Sequence, residues 1–106
     1  MPTLAVKVVR FVDEHQPGFV ECVSVDARGE VHSFIEKVPI VSADELWSTS
    51  TYPQPGAIDC HVESRWEADG KGMVQVNTEL PWGVESTAGQ TRFIVLAGQV
   101  SEEPTA

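Results

Sequence analysis

The feature that most constrains this chain is a stretch of strict alternation. Ile58, Cys60, Val62, Ser64 and Trp66 take every second position, with Asp59, His61, Glu63 and Arg65 between them. A period of two belongs to a strand with one face on a core and the other in water; a helix would repeat its apolar positions every three to four residues. The stretch runs into Glu67-Ala68-Asp69-Gly70-Lys71. A three-residue loop ending on Gly70 sets Val62 against Val76, Ser64 against Val74 and Ile58 against Leu80, all pointing one way. In this register Trp66 is a core plug.

Asp26-Ala27-Arg28-Gly29-Glu30 repeats the acid-Ala-x-Gly pattern between the runs Phe19–Val25 and Val31–Val38. The same loop pairs Val25 with Val31, Val23 with Ser33 and Cys22 with Phe34. Phe19, Val23, Val25, Val31 and Ile35 then share one face, and Val20, Cys22 and Phe34 the other. The first is the predicted core face.

The remaining segments complete an all-β reading. Leu4–Val12 is β-branched and nearly continuous, as in a strand covered on much of both faces. Pro17-Gly18 and Thr87-Ala88-Gly89 read as turns. Ser42 with Glu45 forms a capping-box pattern and predicts a short helix over Ala43–Ser48. Ser48–Gly56 reads as an extended loop, and Pro81 argues against a central strand there. Thr91–Val100 is the last strand, with Phe93, Val95 and Ala97 on one face. The expected fold is a small six-stranded antiparallel barrel or sandwich with one short helix, in the OB-like order β-β-β-α-β-β-β. It fills residues 1–100 as a single domain, followed by a flexible acidic tail, 101–106.

Charge narrows the partners. The 106 residues carry 16 Asp and Glu against 7 Lys and Arg, a formal net charge of −9. That opposes phosphate tracking on nucleic acid and binding to anionic membranes. No apolar run approaches the roughly 18 residues of a membrane helix. The first dozen residues lack the marks of a secretory signal, so the expected location is the cytoplasm. Cys22 and Cys60 are not in a C-x-x-C spacing and read as reduced, buried thiols.

The residue set points to no reaction. Candidate metal ligands are His15, Cys22, His32, Cys60 and His61, and zinc needs three or four converging. Cys60 and His61 are adjacent on a strand and face opposite ways. His32 lies near Cys22 on one hairpin face, which makes two ligands, short of a site. A thiolate at Cys60 is disfavoured on an apolar face, and no nucleophile elbow or phosphate-cradling loop is present. No catalytic residue, metal or cofactor is assigned.

What stands out instead is acidic and aromatic. Asp59, Glu63 and Glu79 share one predicted outer face, with Asp59 opposite Glu79. Trp82, between Pro81 and Gly83, reads as an indole at a loop tip or as a lid over a barrel end. These four residues point to a small acidic non-catalytic protein-binding module, an inhibitor, immunity-type protein or accessory subunit, engaging a partner with a basic surface. A second reading is a small-molecule or catalytic barrel using its open end near Trp82 and His61. A third is a homo-oligomer joined through the sheet edges Leu4–Val12 and Thr91–Val100.

Overall fold

The computed structural model describes residues 1–15 and 18–102. Two antiparallel sheets contribute to one hydrophobic core and do not close into a barrel. The first contains β1 (Thr3–Asp13), β2 (Phe19–Val25), β3 (Val31–Lys37), β4 (Gln54–Asp59) and the short β8 (Val100–Ser101). Its order is β3-β2-β1-β4, with β8 also on β1. The second contains β5 (His61–Ala68), β6 (Lys71–Asn77) and β7 (Arg92–Leu96), in that order. Eight strands therefore replace the predicted six among the described residues.

The alternating stretch is two strands, not one. It crosses from one sheet to the other at Cys60, whose amide donates to the Pro2 carbonyl at 2.9 Å. Before the crossing Ile58 pairs with Leu4, so the predicted partnership of Ile58 with Leu80 does not form. After it, Val62 pairs with Val76 as expected. The chain returns after β7 through a 3-10 turn, Ala97–Gln99, which delivers Val100 opposite Leu4. A strand that switches sheets keeps its period of two while changing partners.

The two acid-Ala-x-Gly corners differ. Asp26–Glu30 is the predicted three-residue loop: Val25 pairs with Val31, and Gly29 sits at φ +86°. Ser86–Gln90 repeats that construction, with the Ser86 amide on the Gln90 carbonyl and Gly89 at φ +80°. At the third corner Ala68 pairs directly with Lys71, leaving a two-residue turn in which Asp69 (φ 53°) and Gly70 (φ 75°) are both left-handed. That is the type I′ turn favoured by Asp-Gly. It shifts the ladder by one residue, so Ser64 faces Gln75 and Arg65 faces Val74, until a bulge between Val62 and Ser64 restores the pairing.

The predicted core face of the first hairpin is reversed. Val20, Cys22 and Phe34 are fully buried, whereas Val25, Val31 and Ile35 are exposed. The inner face also carries Ser24 and, half-buried, His32 and Glu36; this polar content disguises it. In β1, Leu4, Val6 and Val8 point inward while Ala5 and Lys7 are exposed, so that strand alternates rather than being covered on both faces. Two irregularities, at Val8/Arg10 and Phe11/Asp13, make its apolar run look continuous. From the other sheet Val74, Val76, Phe93 and Val95 complete the core. Burying each such side chain contributes about 1.5–3 kcal/mol. Trp66, 38% exposed, is not a core plug.

The helix is also displaced. α1 covers Val38–Val41, with Pro39 in its first turn and Val38 and Val41 buried. Proline is pre-organised for that position. Ser42 is its C-cap, donating its amide to the Val38 carbonyl at 2.9 Å. Its hydroxyl accepts from the Asp44 amide at 3.1 Å, so it serves a turn rather than a helix start. The turn predicted at Pro17 lies outside the described residues. Ser101 pairs with Thr3 and Glu102 reaches Arg65, and residues 103–106 of the predicted tail are outside the described set.

Candidate functional site

Asp59 ends β4, and Trp82 sits on the loop between β6 and β7. That loop is tied at its base by Thr78, which is buried. The Thr78 amide donates to the Thr91 carbonyl at 2.8 Å, the Val84 amide donates back to Thr78 at 3.0 Å, and the Thr78 hydroxyl donates to the Val84 carbonyl at 2.7 Å. Within it the Gly83 amide donates to the Glu79 carbonyl at 2.7 Å. Five residues, 79–83, thus project from a fixed base, and Trp82 is 58% exposed.

The indole Nε1 donates to Asp59 Oδ2 at 2.9 Å. This contact replaces the predicted opposition of Asp59 and Glu79, since Asp59 pairs across the ladder with Thr3. Below the indole is a hollow of about 460 Å³ lined by Pro39, Ile40, Val41, Ser42, Ala43, Ala57, Asp59 and Trp82. It exists because α1 lies hard against β4 at Gly56. A Cβ on Gly56 would stand 2.8 Å from the Val41 carbonyl oxygen and 3.0 Å from Val8 Cγ2.

A second hollow, of about 200 Å³, shares Pro39, Ser42 and Ala43 and continues to Asp44, Glu45, Leu46 and Trp47. Trp47 is 52% exposed, and its carbonyl is held by the Tyr52 hydroxyl at 2.7 Å. The two hollows adjoin at Pro39, Ser42 and Ala43, each with an exposed indole in its lining, and are together termed the groove. Its charged lining is Asp44, Glu45 and Asp59, with no Lys or Arg. Glu79, also exposed, lies three residues before Trp82. With no closed barrel, Trp82 is a groove wall rather than a barrel lid.

Glu63 does not join this group. At the bulge in β5 it accepts from Gln75 at 2.9 Å, from Asn77 at 3.3 Å and from Arg92 Nε at 3.0 and 3.2 Å. The Gln75 and Arg92 hydrogen bonds hold its carboxyl below the usual range. The three predicted acids are therefore split, with Asp59 in the groove, Glu79 on the Trp82 loop and Glu63 satisfied on the other sheet.

The other sequence candidates are dispersed. His15 meets Asp13, His32 meets Asp26, and His61 is exposed beside buried Cys60. Both thiols are free. Burial, reinforced by Glu36 and Glu21, pushes Cys22 up to about 12; burial with Asp59 and Glu102 pushes Cys60 up to about 11. Neither is poised as a nucleophile at neutral pH. Nor is β1 an edge strand, since β2 and β4 flank it. β7 is one, with its Ile94 carbonyl taken by the Ala27 amide at 2.9 Å. Among the described residues no helix is long and apolar enough to cross a membrane.

Sequence reading missed Ile40, Ala43, Asp44, Glu45 and Ala57. They come from α1, the loop after it and β4, and no periodicity joins them to Trp82. No protein family, no curated protein and no solved structure matches this chain.

Proposed function

We propose that this chain is a cytoplasmic, non-catalytic protein-binding module on a sandwich-like scaffold. Its groove takes a partner segment carrying Lys or Arg beside an apolar side chain. The observation that carries this reading is the Trp82–Asp59 contact. It fixes an exposed indole over an apolar floor and places a carboxylate at the same spot. Indoles held at concave surfaces are frequent anchors of protein interfaces. An acidic rim in a chain of net charge −9 favours cationic partners and speeds their encounter. Inhibition of a basic enzyme and service as an accessory subunit both use such a surface.

The test uses the variant Trp66→Phe, which leaves the two groove indoles, Trp47 and Trp82, as the fluorescent reporters. Their fluorescence is followed during titration with short peptides pairing Arg or Lys with Leu or Phe, and with acidic counterparts. Cationic peptides should bind, release as salt rises, and lose at least about tenfold in affinity on Asp59→Lys. Glu63→Gln should leave binding unchanged. Equal response to acidic and cationic peptides, or indifference to Asp59→Lys, defeats the reading.

A further inference from the structure

The turn between β2 and β3 gathers a second polar group, distinct from the Trp82 groove. Asp26 and Glu30 close it, the Asp26 amide donating to the Glu30 carbonyl at 2.8 Å. One step into the ladder, Ser24 stands directly opposite His32. Residues two apart on a strand share a face, so Ser24 and Asp26 project together, beside His32 and Glu30. The His32 Nε2 and Asp26 Oδ2 are 2.8 Å apart. One ligand atom each from Asp26, Glu30 and His32 lie within 4.8 Å of one another.

Two observations set this group apart from an ordinary turn cap. First, capping occupies only Oδ1 of Asp26, which accepts from the Arg28 amide at 2.8 Å and the Glu30 amide at 3.0 Å. Oδ2 meets only the ring, and Glu30 contributes only its backbone to the turn. Second, Ser24 is 6% exposed, and its buried hydroxyl has no hydrogen-bond partner. It is the one such side-chain atom among the described residues. Across the ladder it faces His32, and on its own chain it lies between Cys22 and Asp26 on that face. Natural structures leave few buried polar atoms without a partner.

Two of the three ligands are held by the fold. The side chains of His32 and Asp26 are 11% and 13% exposed. The His32 ring is held edge-on to Phe93, centroids 4.9 Å apart at 63°. A hollow of about 280 Å³ opens beside Asp26 and Glu30, with room for the water ligands of an ion. Arg28 and Arg92 line it too and oppose a cation, but Arg92 is already neutralised by Glu63.

We propose that Asp26, Glu30 and His32 bind a divalent first-row transition ion of the zinc type, with water completing its shell and the Ser24 hydroxyl, on the same face, as a hydrogen-bond partner for that water. One imidazole and two carboxylates suit zinc or cobalt, whereas calcium and magnesium prefer oxygen alone. At zinc–ligand distances of about 2.0–2.2 Å, His32 Nε2 and Asp26 Oδ2 must part to roughly 3.3 Å. Any proton they share leaves on binding. The capping oxygen, Oδ1, can stay in place throughout.

Zinc and calcium titrations of the whole chain, read by calorimetry and by the ring nitrogen resonances of His15, His32 and His61, test the site. One zinc per chain should bind, with the shift confined to the His32 ring, and calcium should not displace it. Glu30→Gln keeps the backbone closure of the turn and should weaken zinc at least about tenfold. His32→Gln should remove the site, with the circular dichroism spectrum checking its fold. The proposal is overturned if zinc up to about 1 mM does not bind, if His15 or His61 shifts in place of His32, or if Glu30→Gln binds as tightly as the parent.

Discussion

The rings of Phe34 and Phe93 meet edge to face, their centroids 5.5 Å apart at 60°. Phe34 comes from β3 and Phe93 from β7, so the pair joins the two sheets. Phe93 also receives the His32 ring. Such aromatic pairs contribute about 0.5–1.5 kcal/mol beyond the area they bury.

Phe93→Ala should therefore lower stability by about 3–5 kcal/mol. Phe34→Ala should cost a similar amount, and the double variant less than the sum, because the shared contact is lost once. Urea denaturation of the three variants measures this. Strict additivity would remove the coupling.

The glycines separate conformational cost from steric cost. Gly29 and Gly70 have left-handed backbones and open space where a Cβ would stand. Alanine at either should cost about 1–2 kcal/mol from backbone conformation alone. Gly56 has no left-handed backbone, but its Cβ would collide with the Val41 carbonyl. Gly56→Ala should be the most damaging of the three and should also shift α1, changing Trp82 fluorescence. Thermal melts with emission spectra distinguish the two kinds of loss.

Glu36 gives the molecule a defined pH dependence. It lies on the inner face of β3 opposite buried Val20. Burial raises its carboxyl above the usual range, with the Lys37 amide and charge opposing. A carboxyl raised in the folded state ionises more readily in the unfolded chain. Its contribution is therefore most favourable at low pH and is lost as pH rises through the folded value. Glu36→Gln should stabilise the protein at neutral pH, by less than about 1 kcal/mol because water still screens the group. The gain should vanish in acid. Denaturation midpoints across pH check both the sign and the window.

Local structure was legible at the Asp26–Glu30 corner, where the turn fixed the register as read. Gly29 placed Val25 opposite Val31, and the Ser86–Gln90 corner follows the same chemistry. Which hairpin face turns inward was not legible, because Ser24, His32 and Glu36 stand on the buried side and outward Val31 and Ile35 look like core. Alternation could not reveal the crossing at Cys60, since a strand passing between sheets keeps its period. Val62 met Val76 through two compensating errors, a turn one residue shorter than read and a bulge one residue longer. Of the candidate site, Trp82 and Asp59 were readable as individuals. Their contact was not, because it joins positions 23 residues apart through a tertiary fold.

The passages at Cys60 and at Ala97–Gln99 stitch the layers together twice. Neither layer can be excised as an autonomous fragment without cutting a continuous ribbon, and neither can slide over its neighbour while both stitches hold. A cut before Val100 would unfasten one of them and leave Leu4 without its terminal mate. Melting should accordingly be a single event for the whole molecule.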